Sequence, residues 1–378
     1  MEIRQATLTL MDSATLKSLA EIHPNLVLVF GSPRFFSQPG LTETLAAVFP
    51  DARRVGASTA GEINNQGVGE DSLVVTAIRI DRIDTRIAAT ELSDMEDSRA
   101  AGQRLAEQLA HPDLRAVIML SQGVGVNGSE LIAGTVSVLG PHIPLTGGLA
   151  GDYGAFSRTW TLLDNQVSDS MMLAIGLYGE SVGFAHGSFG GWHSFGPARR
   201  ATRAQGNVLH ELDGEPALEV YKRYLGEYSS DLPASGLLFP FALLSDDRQE
   251  SGLIRTLLAV NEEDGSLVLA GDVPQNGYLR LMHASTEALV DGAEAAAQAA
   301  GKMFRSDKPA LGLLVSCIGR KLVMGDRVDE EVEAVGAVFG QGCVLTGFYS
   351  NGEISPFLET TECKLHNQTM TVTYLTEN

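Results

Sequence analysis

One outline recurs three times along this chain. An apolar run ends in small polar residues, a helical stretch follows, and a second apolar run breaks into a Gly-rich turn closed by an acid. The copies run from Leu26 (LVLVFGSP) through VGASTAGE to Glu62, from Val117 (VIMLSQGVG) through PLTGGLAGD to Asp152, and from Leu313 (LLVSC) through LTGFYSNGE to Glu353. Each is trailed by a further run of strand character: DSLVVTAI from Asp71, DSMMLAIGL from Asp169 and HNQTMTVTYL from His366. Repetition of a β-α-β unit with a trailing strand predicts an α/β fold of mixed sheets with covering helices, two sheets packed on each other being one such arrangement. Several strand ends then converge with exposed turns, and those turns are where a ligand is expected.

Local signals fill in the helices. Pro39–Phe49 places Leu41, Leu45, Val48 and Phe49 on one face and stops at Pro50. Asp94–Ala110 is a polar surface helix ending before Pro112, and Asn127 caps the helix SELIAGTVSVLG, which Gly140-Pro141 terminates. Between the second and third copies, Gly183–Pro309 repeats least. It opens with GFAHGSFGGWHSFGP, suited to irregular strands or a lining loop. A helix follows with Pro216 near its start and Gly226 past its end. Leu257–Leu281 alternates and turns at Glu263-Asp264-Gly265 and again at Pro274–Gly277, which predicts successive antiparallel strands, and Thr286–Lys302 is an Ala-rich helix.

A net charge of -20 argues against a nucleic-acid backbone or an anionic membrane surface as partner, since both call for a basic face. Arg199, Arg200 and Arg203 are a short exception, read as a solvated segment. No run approaches the roughly 18 apolar residues a membrane-spanning helix needs, and the N-terminus lacks the pattern of a secretory signal. Cys317, Cys343 and Cys363 are an odd set without CxxC spacing, which fits neither a disulfide framework nor a structural zinc site and is natural in a reducing cytoplasm.

Three constellations could carry chemistry. Gly123-Val124-Gly125-Val126-Asn127-Gly128 is a GxGxxG after a strand and before a helix, with Asp152 beyond it, the pattern of a dinucleotide turn or simply of a tight turn. Cys317 with His366 invites a thiol-nucleophile reading, with a core cysteine as its plain alternative. The eight histidines include no HxH or HExxH pair, so zinc is poorly supported, while a haem needs a single axial histidine and an apolar pocket. Arg320 and Lys321 suit an anion-binding turn or a salt-bridged loop.

Seven ordered segments carry a family resemblance: GASTAGEI (Gly56–Ile63), NGSELIAG (Asn127–Gly134), LTGGLAGD (Leu145–Asp152), LHELDGEPALEVYKRYLG (Leu209–Gly226), SCIGRKLVMG (Ser316–Gly325), GFYSNGEISPF (Gly347–Phe357) and HNQT (His366–Thr369). Together they resemble the FIST N and FIST C domains from about Leu26 to Leu375, with an N-type domain over 1–205 and a C-type domain over 206–378. The resemblance implies a cytoplasmic sensory ligand-binding protein of bacterial signal transduction and not an enzyme. The chain ends after its last strand, so signalling is expected through a separate partner such as a histidine kinase or a cyclic-di-GMP protein. Some members of this layout bind haem and sense nitric oxide, which would make His366 the axial iron ligand, with His186, His193 and His283 as rivals. Others are thought to bind small metabolites such as amino acids. Arg320 would then meet a carboxylate and Glu353 or Glu62 an ammonium, with Cys317, Tyr349, Asn367 and Thr369 completing the expected ligand-binding set.

Overall fold

The computed structural model describes residues 1–304, 306–356 and 362–378; Phe357, at the end of the GFYSNGEISPF motif, lies outside them. The three copies are three structural repeats. In each, a leading strand, a helix, a first strand, a second helix, a second strand, a short hairpin and a trailing strand follow in order. The first repeat consists of Glu2–Leu8, Ser13–Ala20, Leu26–Gly31, Leu41–Val48, Arg53–Ser58, the hairpin Glu62–Asn64 with Gly67–Gly69, and Leu73–Arg79. The second runs Asp84–Glu91, Ser98–Leu109, Leu114–Ser121, Gly128–Leu139, Leu145–Leu149, Thr161–Leu163 with Gln166–Ser168, and Met171–Tyr178. The third runs Val182–Phe189, Thr286–Met303, Ala310–Cys317, Asp329–Phe339, Cys343–Ser350, Gly352–Pro356 with Cys363–His366, and Met370–Glu377.

Each repeat orders its strands leading, trailing, first, second, and only the first and second are parallel. Each of these sheets reaches six strands by borrowing a hairpin. The first repeat's hairpin joins the third sheet (Ile63 opposite Gly347), the third's joins the second (Glu353 opposite Gly148), and the second's joins the first (Leu162 opposite Gly56). The exchange is cyclic. Backbone bonds close the same ring where the second strands end: Ala60 N–H donates to Tyr349 O at 2.8 Å, Asn351 N–H to Leu149 O at 3.2 Å, and Gly151 N–H to Ser58 O at 2.9 Å.

Burial explains why the strands read as unbroken apolar runs. Leu26, Leu28 and Phe30 share one central core with Ile118 and Leu120 of the second sheet and Leu313, Val315 and Phe348 of the third. The alternate residues Val27 and Val29 face outward onto helices Ser13–Ala20 and Leu41–Val48, as a sheet covered on both faces requires. The sequence reading allowed for two packed sheets; three surround the core, because each repeat builds its own.

A glycine in each second strand lies against the first strand. A Cβ at Gly56, Gly147 or Gly347 would stand 2.0, 1.9 or 1.8 Å from the carbonyl oxygen of Val29, Met119 or Leu314. Gly347→Ala is expected to cost at least about 1–3 kcal/mol, as overpacking against backbone does, read as a lowered urea midpoint. An unchanged midpoint would mean the strand spacing is looser than described.

The non-repeating region is an insertion in the third repeat, an antiparallel sheet of eight strands with helix Ala217–Leu225 packed on it. Its two terminal strands, Glu250–Arg255 and Leu257–Asn261, are separated only by Thr256, so the sheet curls round until its ends meet. The alternation and turns expected for Leu257–Leu281 are present as Leu257–Asn261, Ser266–Leu269 and Tyr278–His283. Among the described residues no helix is long and apolar enough to cross a membrane.

Candidate functional site

The turn Gly123–Gly128 leaves the C-terminal end of Leu114–Ser121 and enters the 12-residue helix Gly128–Leu139, the place where open α/β sheets bind ligands. Asn127 caps that helix, its Oδ1 accepting from Glu130 N–H at 3.1 Å, while its own N–H donates to Ser98 Oγ at 2.9 Å. Gly123 N–H donates to Thr159 Oγ1 at 2.7 Å. A Cβ at Gly123 would stand 1.8 Å from Ala150 O, and Gly125 has φ +72°. The glycines are therefore required by the turn itself, whatever it binds.

This turn, the base of the third repeat's hairpin and the inserted sheet enclose a cleft of about 300 Å³, at the small end of the range for small-molecule sites. Val124, Val126, Leu149, Phe156, Leu269 and Leu365 supply its apolar wall, and Asn127, Asn207, Asn351, Asn367 and Asp272 its polar groups. Asn351 and Asn367 stand at the two ends of the borrowed hairpin. The Oδ1 of each is buried without a hydrogen-bond partner among the described residues, a condition that costs free energy until a donor arrives. A half-turn of either carboxamide about χ2, a broad torsion, exchanges its donor and acceptor. Asn351 Nδ2 already donates to Gly123 O at 3.4 Å, so Asn351 offers a ligand its acceptor and Asn367 can offer either group.

Phe156 is held in the wall by Asp152. Its φ is +48°, unusual for a bulky residue. The Asp152 carboxylate accepts from the N–H groups of Phe156, Ser157 and Arg158 at 3.0, 2.7 and 3.1 Å. An acid spent on its own loop is not the ribose-binding acid of a dinucleotide site, so the GxGxxG reads here as a turn.

The other expected site residues lie deeper. Glu62 accepts from Thr59 Oγ1, Ser72 Oγ, Ser72 N–H and Tyr153 OH at 2.5, 2.6, 3.1 and 3.2 Å. Glu353 is its counterpart, accepting from Ser350 Oγ at 2.7 Å, Thr369 Oγ1 at 3.0 Å and Thr369 N–H at 3.2 Å. Both are fully buried; burial raises both carboxyls, that of Glu353 up to about 8, against the opposing hydrogen bonds. A carboxyl in that condition serves the interior rather than a ligand's ammonium.

Arg320 was expected to receive a ligand carboxylate, but its guanidinium is committed inside the protein. It is 0% exposed and pairs with Glu331, Nη2 to Oε2 at 2.7 Å and Nε to Oε2 at 3.1 Å. It also donates to Leu289 O at 2.7 Å and to Gly190 O. Ser316 Oγ donates to Glu331 Oε1 at 2.8 Å, and so does Tyr349 OH, which closes the network. Cys317 is buried at the end of its strand, and burial together with the nearby Glu353 carboxyl pushes its thiol well up, the opposite of an activated nucleophile. Of the expected set, Asn367 alone lines the cleft. Asn351, Asn207 and Asp272 were not singled out from sequence; for Asn351 the signal was its place one residue before the Gly-Glu pair of the third turn.

A haem does not fit the expected ligand. His366 is 3% exposed, its Nε2 lies 2.9 Å from Ser355 O, and burial lowers its pKa to about 4. Its ring is enclosed in the sheet while its neighbours Leu365 and Asn367, and no histidine, line the cleft. His186 is buried on Val182–Phe189, the edge strand of its sheet, and the exposed His193 and His283 pair across the inserted sheet with ring centres 6.4 Å apart. None of the four lines that cleft. Among the described residues no cluster of His, Cys, Asp and Glu is arranged to hold a metal ion.

An uncharacterised protein of Methanocaldococcus jannaschii is 32% identical over 87 residues, 23% of this chain and 17% of that protein, so the match spans about a sixth of that relative's length. The crystal structure of cyanuric acid hydrolase from A. caulinodans aligns over 100% of this chain and 99% of its own, with a TM-score of 0.40 and 8% identity. That neighbour is an enzyme, so the expectation that the chain is not an enzyme is withdrawn; so distant a likeness names no reaction. The family model described as the FIST N domain matches residues 25–215, and that of the FIST C domain residues 217–356. FIST domains are generally sensory ligand-binding domains of signal transduction. With both domains matched in order over most of its length, the chain belongs to the FIST family.

Proposed function

We propose that this protein senses a small zwitterionic metabolite, an amino acid with an apolar side chain, in the cleft between the Gly123–Gly128 turn and the inserted sheet. The observation that carries the reading is the pair of unpartnered buried carboxamide oxygens, Asn351 Oδ1 and Asn367 Oδ1, at the wall of an otherwise largely apolar cleft beside a helix N-terminus. The helix end favours a carboxylate. Asp272 and the two carboxamides favour an ammonium, and Val124, Val126, Leu258 and Leu269 favour an apolar side chain. Haem and nitric oxide gain no support from His366, His186, His193 or His283, none of which lines this cleft. Binding would bridge the second repeat, the third repeat's hairpin and the insertion, and a shift of the insertion would report occupancy to a partner such as a histidine kinase or a cyclic-di-GMP enzyme.

The test is a thermal-shift screen of the twenty common amino acids, followed by titration of the strongest. Asn367→Ala is expected to weaken binding about tenfold, the loss of one good hydrogen bond at roughly 1.4 kcal/mol. Silence across the panel, or a response equal in Asn367→Ala, would overturn the reading.

A further inference from the structure

The internal repeat relates the first cleft to a second. One repeat further round the ring, the same two positions recur: helix Ile318–Met324 stands where the Gly123–Gly128 turn stands, directly after the first strand of the third repeat, and the base of the first repeat's hairpin lies at Val68–Asp71. They border an open cleft of about 630 Å³. Among the described residues Lys321 is the only cation lining it, 11% exposed, its Nζ fixed by Ala60 O at 2.9 Å and lying 5.3 Å from the Tyr153 ring centre. The anion it meets is Glu70, a rim side chain that is 68% exposed. Ile318, Val328 and the half-exposed Leu322 make an apolar wall beside the ammonium.

We propose that this is a second ligand cleft, for a monocarboxylate with a short apolar chain, its carboxylate taking the place on Lys321 that the Glu70 carboxylate now holds. The exchange buries no new charge, because one carboxylate replaces another. Exposed Asp71 and Asp326 at the rim disfavour dianions. The two clefts share a loop: Tyr153, at φ +59°, lines the second and Phe156, at φ +48°, the first, with Asp152 holding the turn between them. Occupancy of the second cleft should therefore be felt at Phe156.

The experiment is a ¹H–¹⁵N correlation titration of the full chain with sodium butyrate, and with butylamine as the opposite charge. The expected result is saturable shifts at Tyr153 and Gly319–Leu322, extending to Phe156, that are absent in Lys321→Met. Glu70→Gln, an exposed change that leaves the fold intact, should tighten butyrate about two- to fivefold, the worth of an exposed ion pair. Shifts that never saturate, butyrate affinity unchanged by Glu70→Gln, or a preference for butylamine would overturn the proposal. The amino-acid ligand of the first cleft is not used, so either site can fail without the other.

Discussion

Replacing Glu331 with glutamine is expected to lower the unfolding free energy by about 3–5 kcal/mol, the cost of leaving one member of a buried pair without its counter-charge. Arg320 and Glu331 are both 0% exposed, and the carboxylate accepts from Arg320, Ser316 and Tyr349 at once. Glutamine keeps the shape and supplies no negative charge, so the guanidinium is stranded against the carbonyls of Gly190 and Leu289. The double variant Arg320→Met with Glu331→Leu, which removes both charges, should recover much of the loss. Urea unfolding of the three proteins at neutral pH measures this. A Glu331→Gln loss under about 1 kcal/mol, the worth of an exposed pair, would show that water reaches the network.

Glu353→Gln is expected to stabilise the protein at alkaline pH. Desolvation holds the Glu353 carboxyl up at about 8 although Ser350 and Thr369 donate to it. Its ordinary value is 4.5, so between pH 4.5 and 8 the folded chain binds more protons at this site than the unfolded chain. Stability from this group is thus complete below pH 4.5 and falls as pH rises, the deficit reaching roughly 4–5 kcal/mol above pH 8. Glutamine carries no such deficit, and its variant should lose the slope. Two histidines act in the opposite direction. Burial lowers His186 and His366 to about 4, so their contribution is present above about pH 6.5 and is lost as pH falls toward 4. Urea midpoints across pH should therefore peak at about pH 6.5 in the wild type. An alkaline limb as steep in Glu353→Gln as in the wild type would place the titrating group elsewhere.

The repeats were legible because each buries its strands on both faces, leaving unbroken apolar runs that end in the same small-residue turn. The leading strand Glu2–Leu8 and helix Ser13–Ala20 gave no such signal, since the strand is a half-buried edge of mixed residues. The hairpin exchange could not be read at all. Ile63 pairs with Gly347, and a three-residue strand has no pattern that names a partner almost three hundred positions away. The turn acids show how the same motif divides in role. Glu62 and Glu353 are sealed in by serine and threonine hydroxyls of their own repeats, Glu62 also by Tyr153 of the second, whereas Asp152, with no serine or threonine two positions after its strand's second glycine, turns to its own loop. Arg320 misled for a related reason: a cation after a strand suits an anion site, and nothing local announces that Glu331, eleven residues on along the chain, will claim it.

Hydrogen exchange with and without the strongest stabilising amino acid tests the central claim most directly. Ligand in the first cleft predicts slowed exchange in three separate segments together, the Gly123–Leu131 turn and helix start, Leu269–Asp272 of the insertion, and Leu365–Gln368 of the borrowed hairpin. Protection confined to other parts of the chain, despite measurable binding, would contradict the assignment of the cleft.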